Sequence, residues 1–228
     1  MRYAICLEEM EGRWVAHVPV LLGCYTSADD RDTALASAPQ TIYDYLAWRA
    51  AYANTQPVGE SLVEVFVDEV GREWPTPDDP DYIVNAFFAA DVPALTADEI
   101  RLAVQRLEWQ RADLLASFDG LSIDTLNRPV EGEWSIGGIL NHTGRAEWWY
   151  LDRLNLAPPL DQEPGHWRAR LEMARARLLE VLPQLEGVAR IEVKAGEMWS
   201  PRKMLRRALW HERDHTLHIR QFREKLNA

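Results

Sequence analysis

Cysteine is scarce in this 228-residue chain: Cys6 and Cys24 are the only two, and no C-x-x-C pair occurs. That excludes a disulfide framework, a cysteine zinc ribbon and a thioredoxin-like motif, and it fits a reducing compartment. No apolar run approaches the ~18 residues needed to span a bilayer. The opening run from Met1 breaks at Glu8 and Glu9, too early for the core of a secretory leader. The expectation is a cytoplasmic protein with no membrane partner. Positive charge is short in one place. Residues 1–96 hold five arginines and no lysine against sixteen acids, so the whole formal charge of −11 falls on them. An acidic segment repels phosphates, which argues against nucleic acid as a partner. Residues 97–228 balance at twenty charges of each sign, and this asymmetry is a first sign of two domains. No internal repeat or low-complexity tract stands out.

What is present, 47% hydrophobic and 27% charged residues, suits a globular chain and excludes a disordered one. The first part reads as strands around one helix. Arg2 to Glu9 and Arg13 to Leu21 are β-rich runs joined through Met10-Glu11-Gly12, a hairpin-like link. Leu22 to Thr26 reads as a third strand. A helix should start after Ser27-Ala28-Asp29-Asp30 and carry Leu35, Ile42 and Leu46 inward, with Pro39 kinking or splitting it. Ser61 to Val70 alternates as a half-buried strand does. Trp74 to Pro80 reads as a loop, and Val84 to Ala89 as one more strand.

From Thr96 the period becomes helical. Thr96-Ala97-Asp98-Glu99 is a capping box, followed by Ile100, Val104, Leu107 and Leu114 on one face. Further helices should run from Ser135 to about Asn155, from Trp167 to Leu185, and from Ser200 towards Leu226 with Pro201 at its first position. Four long amphipathic helices make a bundle. The fold class is therefore α+β in two domains, 1–95 with its linker and 96–228.

Six histidines are present, and three fall on the last helix as H-E-R-D-H-T-L-H. At ~100° per residue His215 lies ~40° from His211, and His218 lies ~20° to the other side. Imidazoles at i and i+4 can aim two ring nitrogens at one metal. His142, in Asn141-His142-Thr143-Gly144, is the natural third donor from another helix. Such pairs also occur as hydrogen-bonded core or surface residues. HERDH further matches the HExxH form of zinc proteases, but the extended protease pattern needs Gly and His where this chain has His218 and Gln221. Glu147 lies ~140° around its helix from His142 and Glu212 ~100° from His211, so neither shares the histidine face. Trp134, Trp148, Trp149, Trp199 and Trp210 read first as packing, with Trp148, Trp149 and Trp210 the candidates for a pocket mouth. Cys6 and Cys24 read as small buried residues, and His17 and His166 carry no signal of function.

Residues 97–228 resemble the DinB/YfiT superfamily of four-helix-bundle metalloenzymes. The resemblance lies in Glu133-Trp134-Ser135-Ile136 leading to Asn141-His142, in Ala146-Glu147-Trp148-Trp149-Tyr150-Leu151, and in Leu209-Trp210-His211-Glu212-Arg213-Asp214-His215. It implies one divalent transition metal held by His142, His211 and His215. Zinc and nickel lead, with iron and manganese also compatible. The chain departs from the family at His218, where relatives commonly have Gln. His218 and Asp214 are the candidates for orienting the ligands or moving protons, and His218 is also a candidate fourth ligand. No catalytic residue is assigned.

Residues 1–70 resemble a HicB-type module, a β-β-β-α-β domain known from antitoxins. The carrying residues are Val18 to Thr26, Ala34-Leu35 and Ile42-Tyr43-Asp44-Tyr45-Leu46. The combined resemblance implies a metal-dependent transferase or hydrolase for a small molecule, with a low-molecular-weight thiol as cosubstrate, working as a homodimer. The alternative is a non-enzymatic stress-response or protein-binding protein whose metal is structural.

Overall fold

The structure is a computed structural model that describes residues 1–56, 62–76, 78–129 and 134–227. Ser61 and Glu133, used in the sequence reading, lie outside the described residues. The chain divides into two compact units: Met1–Pro93 with Val193–Met198, and Ala94–Glu192 with Trp199–Ala228.

In the first unit β1 (Arg2–Met10) and β2 (Arg13–His17) form an antiparallel hairpin closed by Glu11 and Gly12. Both turn residues have positive φ, 53° and 72°. That backbone matches the twist of the flanking strands, which explains why Gly is needed there. The third strand, β3, is Tyr25–Ala28 and starts later than expected, because Leu21 and Cys24 close a turn by bonding to the Val18 and Leu21 carbonyls. Helix α1 (Arg31–Tyr52) is capped by Asp30, whose carboxylate accepts from the Thr33 amide. Pro39 neither splits nor ends it. Burial of Ala34, Ala38, Ile42 and Tyr45 against the sheet outweighs the lost backbone bond.

Strand β4 (Glu64–Arg72) returns parallel to β1, giving the order β3-β2-β1-β4. The β-β-β-α-β succession expected from sequence is thus present. Period 2 sends Ile5 and Leu7 of β1 towards α1 and Cys6 and Glu8 to the other face. That other face meets Ala86 and Phe88. The segment expected as a long strand over 84–89 is only β6 (Ile83–Val84), paired with β5 (Trp74–Pro75), before a 3-10 turn at Ala89–Asp91. Its amides are taken by carboxylates instead of a ladder. The Ala86 N–H donates to Glu8, Phe88 to Asp91, Ala89 to Glu69, and Asn85 to Glu197. Glu197 comes from a hairpin of β7 (Glu192–Lys194) and β8 (Glu197–Trp199) that sequence reading missed; it also accepts from the Tyr82 hydroxyl at 2.7 Å.

The second unit is helical. Long helices α2 (Ala97–Ser117), α4 (Ile136–Arg153), α5 (Trp167–Val181) and α6 (Pro201–Asn227) form the bundle, with α4 against both α5 and α6, and α2 against α6. A one-turn helix α3 (Ile123–Asn127) was not foreseen. Helix α5 ends earlier than expected, as a 3-10 turn takes over at Leu182–Leu185. The caps are those the sequence announces: Thr96 and Glu99 form the reciprocal box, and Ser135 accepts from the Gly138 amide. Gly144 lets α5 lie close on α4, since a Cβ there would stand 3.2 Å from the Leu171 nitrogen. Leu114, Ile136, Ile139, Leu140, Leu171, Ile219 and Phe222 fill one core cluster. Among the described residues no helix is long and apolar enough to cross a membrane.

Candidate metal centre

Helix α4 carries His142 and helix α6 carries His211 and His215, so the packing of these two helices decides whether the three rings meet. They do. His142 Nε2 and His215 Nε2 each lie 3.0 Å from His211 Nε2, and one ligand atom from each residue falls within 4.8 Å of the others. The ring centroids are 5.0, 5.1 and 4.3 Å apart. His211 is buried at 7% exposure, whereas His142 and His215 are half-buried, so the site opens on their side.

This donor set fits a divalent cation. Nitrogens sharing one ion at about 2.0–2.1 Å stand roughly 2.9–3.4 Å apart. The Nε2 of His211 faces two other Nε2 atoms, and a ring nitrogen has one proton or one lone pair to offer. A single hydrogen bond serves only one of those neighbours, while one cation at the common focus would serve all three lone pairs.

His218 lies beyond this cluster. Its ring stacks near that of His215 with centroids 6.4 Å apart. Asp214 is half-buried on the same helix and also lies outside the triad. The aromatic surroundings differ from the expected ones. Trp134, read as packing, is 56% exposed and stands edge-on to His142 at 4.9 Å. Tyr150 meets the His211 ring at 5.8 Å, and Trp210 lies 5.7 Å from it. Trp148 donates to the Pro158 carbonyl and Trp149 packs on Trp199, so both serve packing. His17 is a buried partner of Glu8 at 3.3 Å in the first unit, and His166 caps α5.

Sequence reading missed the charges packed between the helices. Glu147 and Glu212 are 5% and 2% exposed, so both acids are buried. Arg111 donates to Glu147 at 3.0 Å and to Glu212 at 2.8 Å, and Arg175 does the same at 2.6 and 2.9 Å. Burial works against both charged states here, and the pairing outweighs it. Glu147 and Glu212 raise Arg175 above the ordinary arginine value; Arg175 and Arg111 hold Glu212 below the ordinary carboxylate value. Arg175 and Glu212 are thus both held in their charged forms. The available signal was a short echo, Leu107-Glu108-Trp109-Gln110-Arg111 and Leu171-Glu172-Met173-Ala174-Arg175, which places an arginine four residues after a core leucine on two helices.

The DinB superfamily model matches residues 106–219. Among solved structures the chain is similar to YfiT from Bacillus subtilis, described as a probable metal-dependent hydrolase with an unusual four-helix bundle topology. The identity is 16% and the TM-score 0.46, over 59% of this chain and 91% of that one. No curated protein matches. With half the chain matched, and with His142, His211 and His215 among the matched residues, the protein belongs to the DinB superfamily.

Proposed function

We propose that the helical part, residues 96–228, is a divalent-metal-dependent enzyme acting on a small molecule, with His142, His211 and His215 as the metal ligands. The observation that carries this reading is the convergence of three imidazole Nε2 atoms from two helices, with 3.0 Å separations about His211. Zinc or nickel suits such a nitrogen set first, and iron or manganese are the further candidates. When bound, the ion would act as a Lewis acid that polarises a carbonyl and acidifies water or a thiol. The reaction class is hydrolysis or group transfer, with a low-molecular-weight thiol as the candidate cosubstrate.

The chain's own residues assign the rest of the work. Buried His211 is held by Tyr150 and Trp210, while half-buried His142 and His215 border the open side. Exposed Trp134 offers an apolar edge beside His142 for a substrate to rest against. The 6.4 Å offset of His218 from His215 supports an open site over a closed four-histidine structural site. His218 then serves to orient His215 or move a proton, with Asp214 as its neighbour on α6.

Residues 1–95 are read as a HicB-like interaction or dimerisation module in a cytoplasmic homodimer. The β-β-β-α-β order with β4 parallel to β1 supports that module. Sedimentation of the intact chain tests the dimer, and a monomer at micromolar concentration would overturn it.

The metal reading is tested on protein purified without chelator or histidine tag. About one divalent ion per chain is expected, lost in His142→Ala and in His211→Ala and retained in His218→Gln. Unchanged metal content in the two alanine variants would sink the assignment. Loss in His218→Gln would turn it to a closed structural site.

A further inference from the structure

The two helices that carry the histidines also carry the two buried acids, Glu147 on α4 and Glu212 on α6. The other two helices each carry one arginine that touches both acids. Each arginine therefore ties α4 to α6. The two are also joined to each other's helix: Arg111 donates to the Leu171 carbonyl at 2.8 Å, and Arg175 donates to the Leu107 carbonyl at 2.5 Å. Leu107 stands four residues before Arg111, and Leu171 four before Arg175, so the arrangement is reciprocal. One turn of α2 and one turn of α5 thus make the same set of contacts.

The clamp is close in sequence to the ligands it would serve. Glu212 follows His211 directly, and Glu147 lies between His142 and Tyr150, whose ring meets His211. The α-helical backbone converts rotation about its axis into ring displacement, so fixing Glu147 and Glu212 fixes the azimuth of His142 and His211. An apolar core would pack the same helices with greater freedom to slide and turn, whereas guanidinium forks impose direction on the contacts.

We infer that Arg111, Glu147, Arg175 and Glu212 are positioning residues that set the rotation of α4 against α6 and thereby bring His142 onto His211 and His215. This rests on the metal reading of the three histidines. It differs from a plain stabilising role because it predicts a sign. Removing a buried positive charge near a cation site strengthens cation binding if only the electric field changes. Loss of positioning weakens it.

The test uses the whole chain, with cobalt(II) as probe and two readouts: the dissociation constant and the visible ligand-field spectrum. Arg175→Met removes the charge and the fork. Arg175→Lys keeps the charge, cannot reach both acids in the same way, and guards against a variant that fails to fold. Leu185→Ala, a buried leucine in the 3-10 turn after α5, is the control for lost stability alone. Both arginine variants are expected to bind cobalt about tenfold or more weakly with an altered spectrum, while Leu185→Ala keeps both values. Wild-type affinity and spectrum in Arg175→Lys, or tighter binding in Arg175→Met, would overturn the positioning role. Absence of cobalt binding in the wild type overturns the metal reading itself and the positioning role with it, and that failure is distinguishable because it precedes any substitution.

Discussion

A single carboxylate shows how local chemistry becomes stability in this fold. Glu99 closes the cap of α2 and pairs with Arg202 of α6 at 2.6 Å. The Arg202 guanidinium holds its pKa down at about 2, with burial opposing and the Thr96 hydrogen bonds helping. Because the folded value lies below the ordinary 4.5, the contribution is complete above about pH 4.5 and disappears as pH falls through about 2. The Glu99 side chain keeps 31% of its surface exposed, so water screens the pair and its worth is about 1 kcal/mol. Glu99→Gln preserves the box and removes the charge. Urea unfolding should show a loss of about 1 kcal/mol near neutral pH and only a small fraction of it near pH 2. An equal loss at both pH values would refute the ion-pair account. This residue was legible in advance, because a capping box is written in four consecutive letters. Arg202 as its partner was not, since that pairing exists only after α2 and α6 meet.

Helix contacts carry the next level. Gly144 sits where α4 meets α5, and a methyl there would lie 3.2 Å from the Leu171 nitrogen and 3.3 Å from Arg170 Cγ. Helix propensity favours alanine by about 1 kcal/mol, but backbone on the facing helix cannot swing aside as a side chain can. Gly144→Ala is expected to cost about 1–3 kcal/mol by overpacking. A melting temperature above the wild type's would show instead that α5 yields. The four long helices were legible from their apolar stripes and caps; spacing put His211, His215 and His218 on one face, and the choice of His142 with His211 and His215, the three that meet here, came from the family resemblance. The split foreseen as one outcome at Pro39 does not occur, because local rules see its missing N–H and not the sheet that holds Ala38 and Ile42. The buried charges were not foreseen for the same reason: Arg111 and Arg175 reach Glu147 and Glu212 from two other helices, and that meeting exists only in the folded bundle.

At the scale of the whole molecule, the division into units does not follow the order of the chain. Val193–Met198 belong with the first unit although they lie between α5 and α6 in sequence. Glu197 is fully buried and accepts from Asn85 and Tyr82 of that unit. Glu197→Ala removes an acceptor from two donors and should destabilise the first unit by about 1–3 kcal/mol. Hydrogen exchange at the Asn85 amide is the measurement, and unchanged protection would show that the hairpin is dispensable. Composition located the change of character near residue 96, because charge and periodicity both shift there. The returning hairpin was invisible, as three-residue strands carry too little pattern to register.

That returning hairpin also orders events during synthesis. The first 93 residues leave the ribosome about 104 residues ahead of Glu197. At roughly 5–20 residues per second, that is an interval of about 5–20 s. Through that interval the nascent sheet can pair its strands and bury Ile5, Leu7 and Ile42 beneath α1, yet Asn85 and Tyr82 must wait with water in the place of Glu197. The amino-terminal unit is thus completed only when most of the bundle has already emerged.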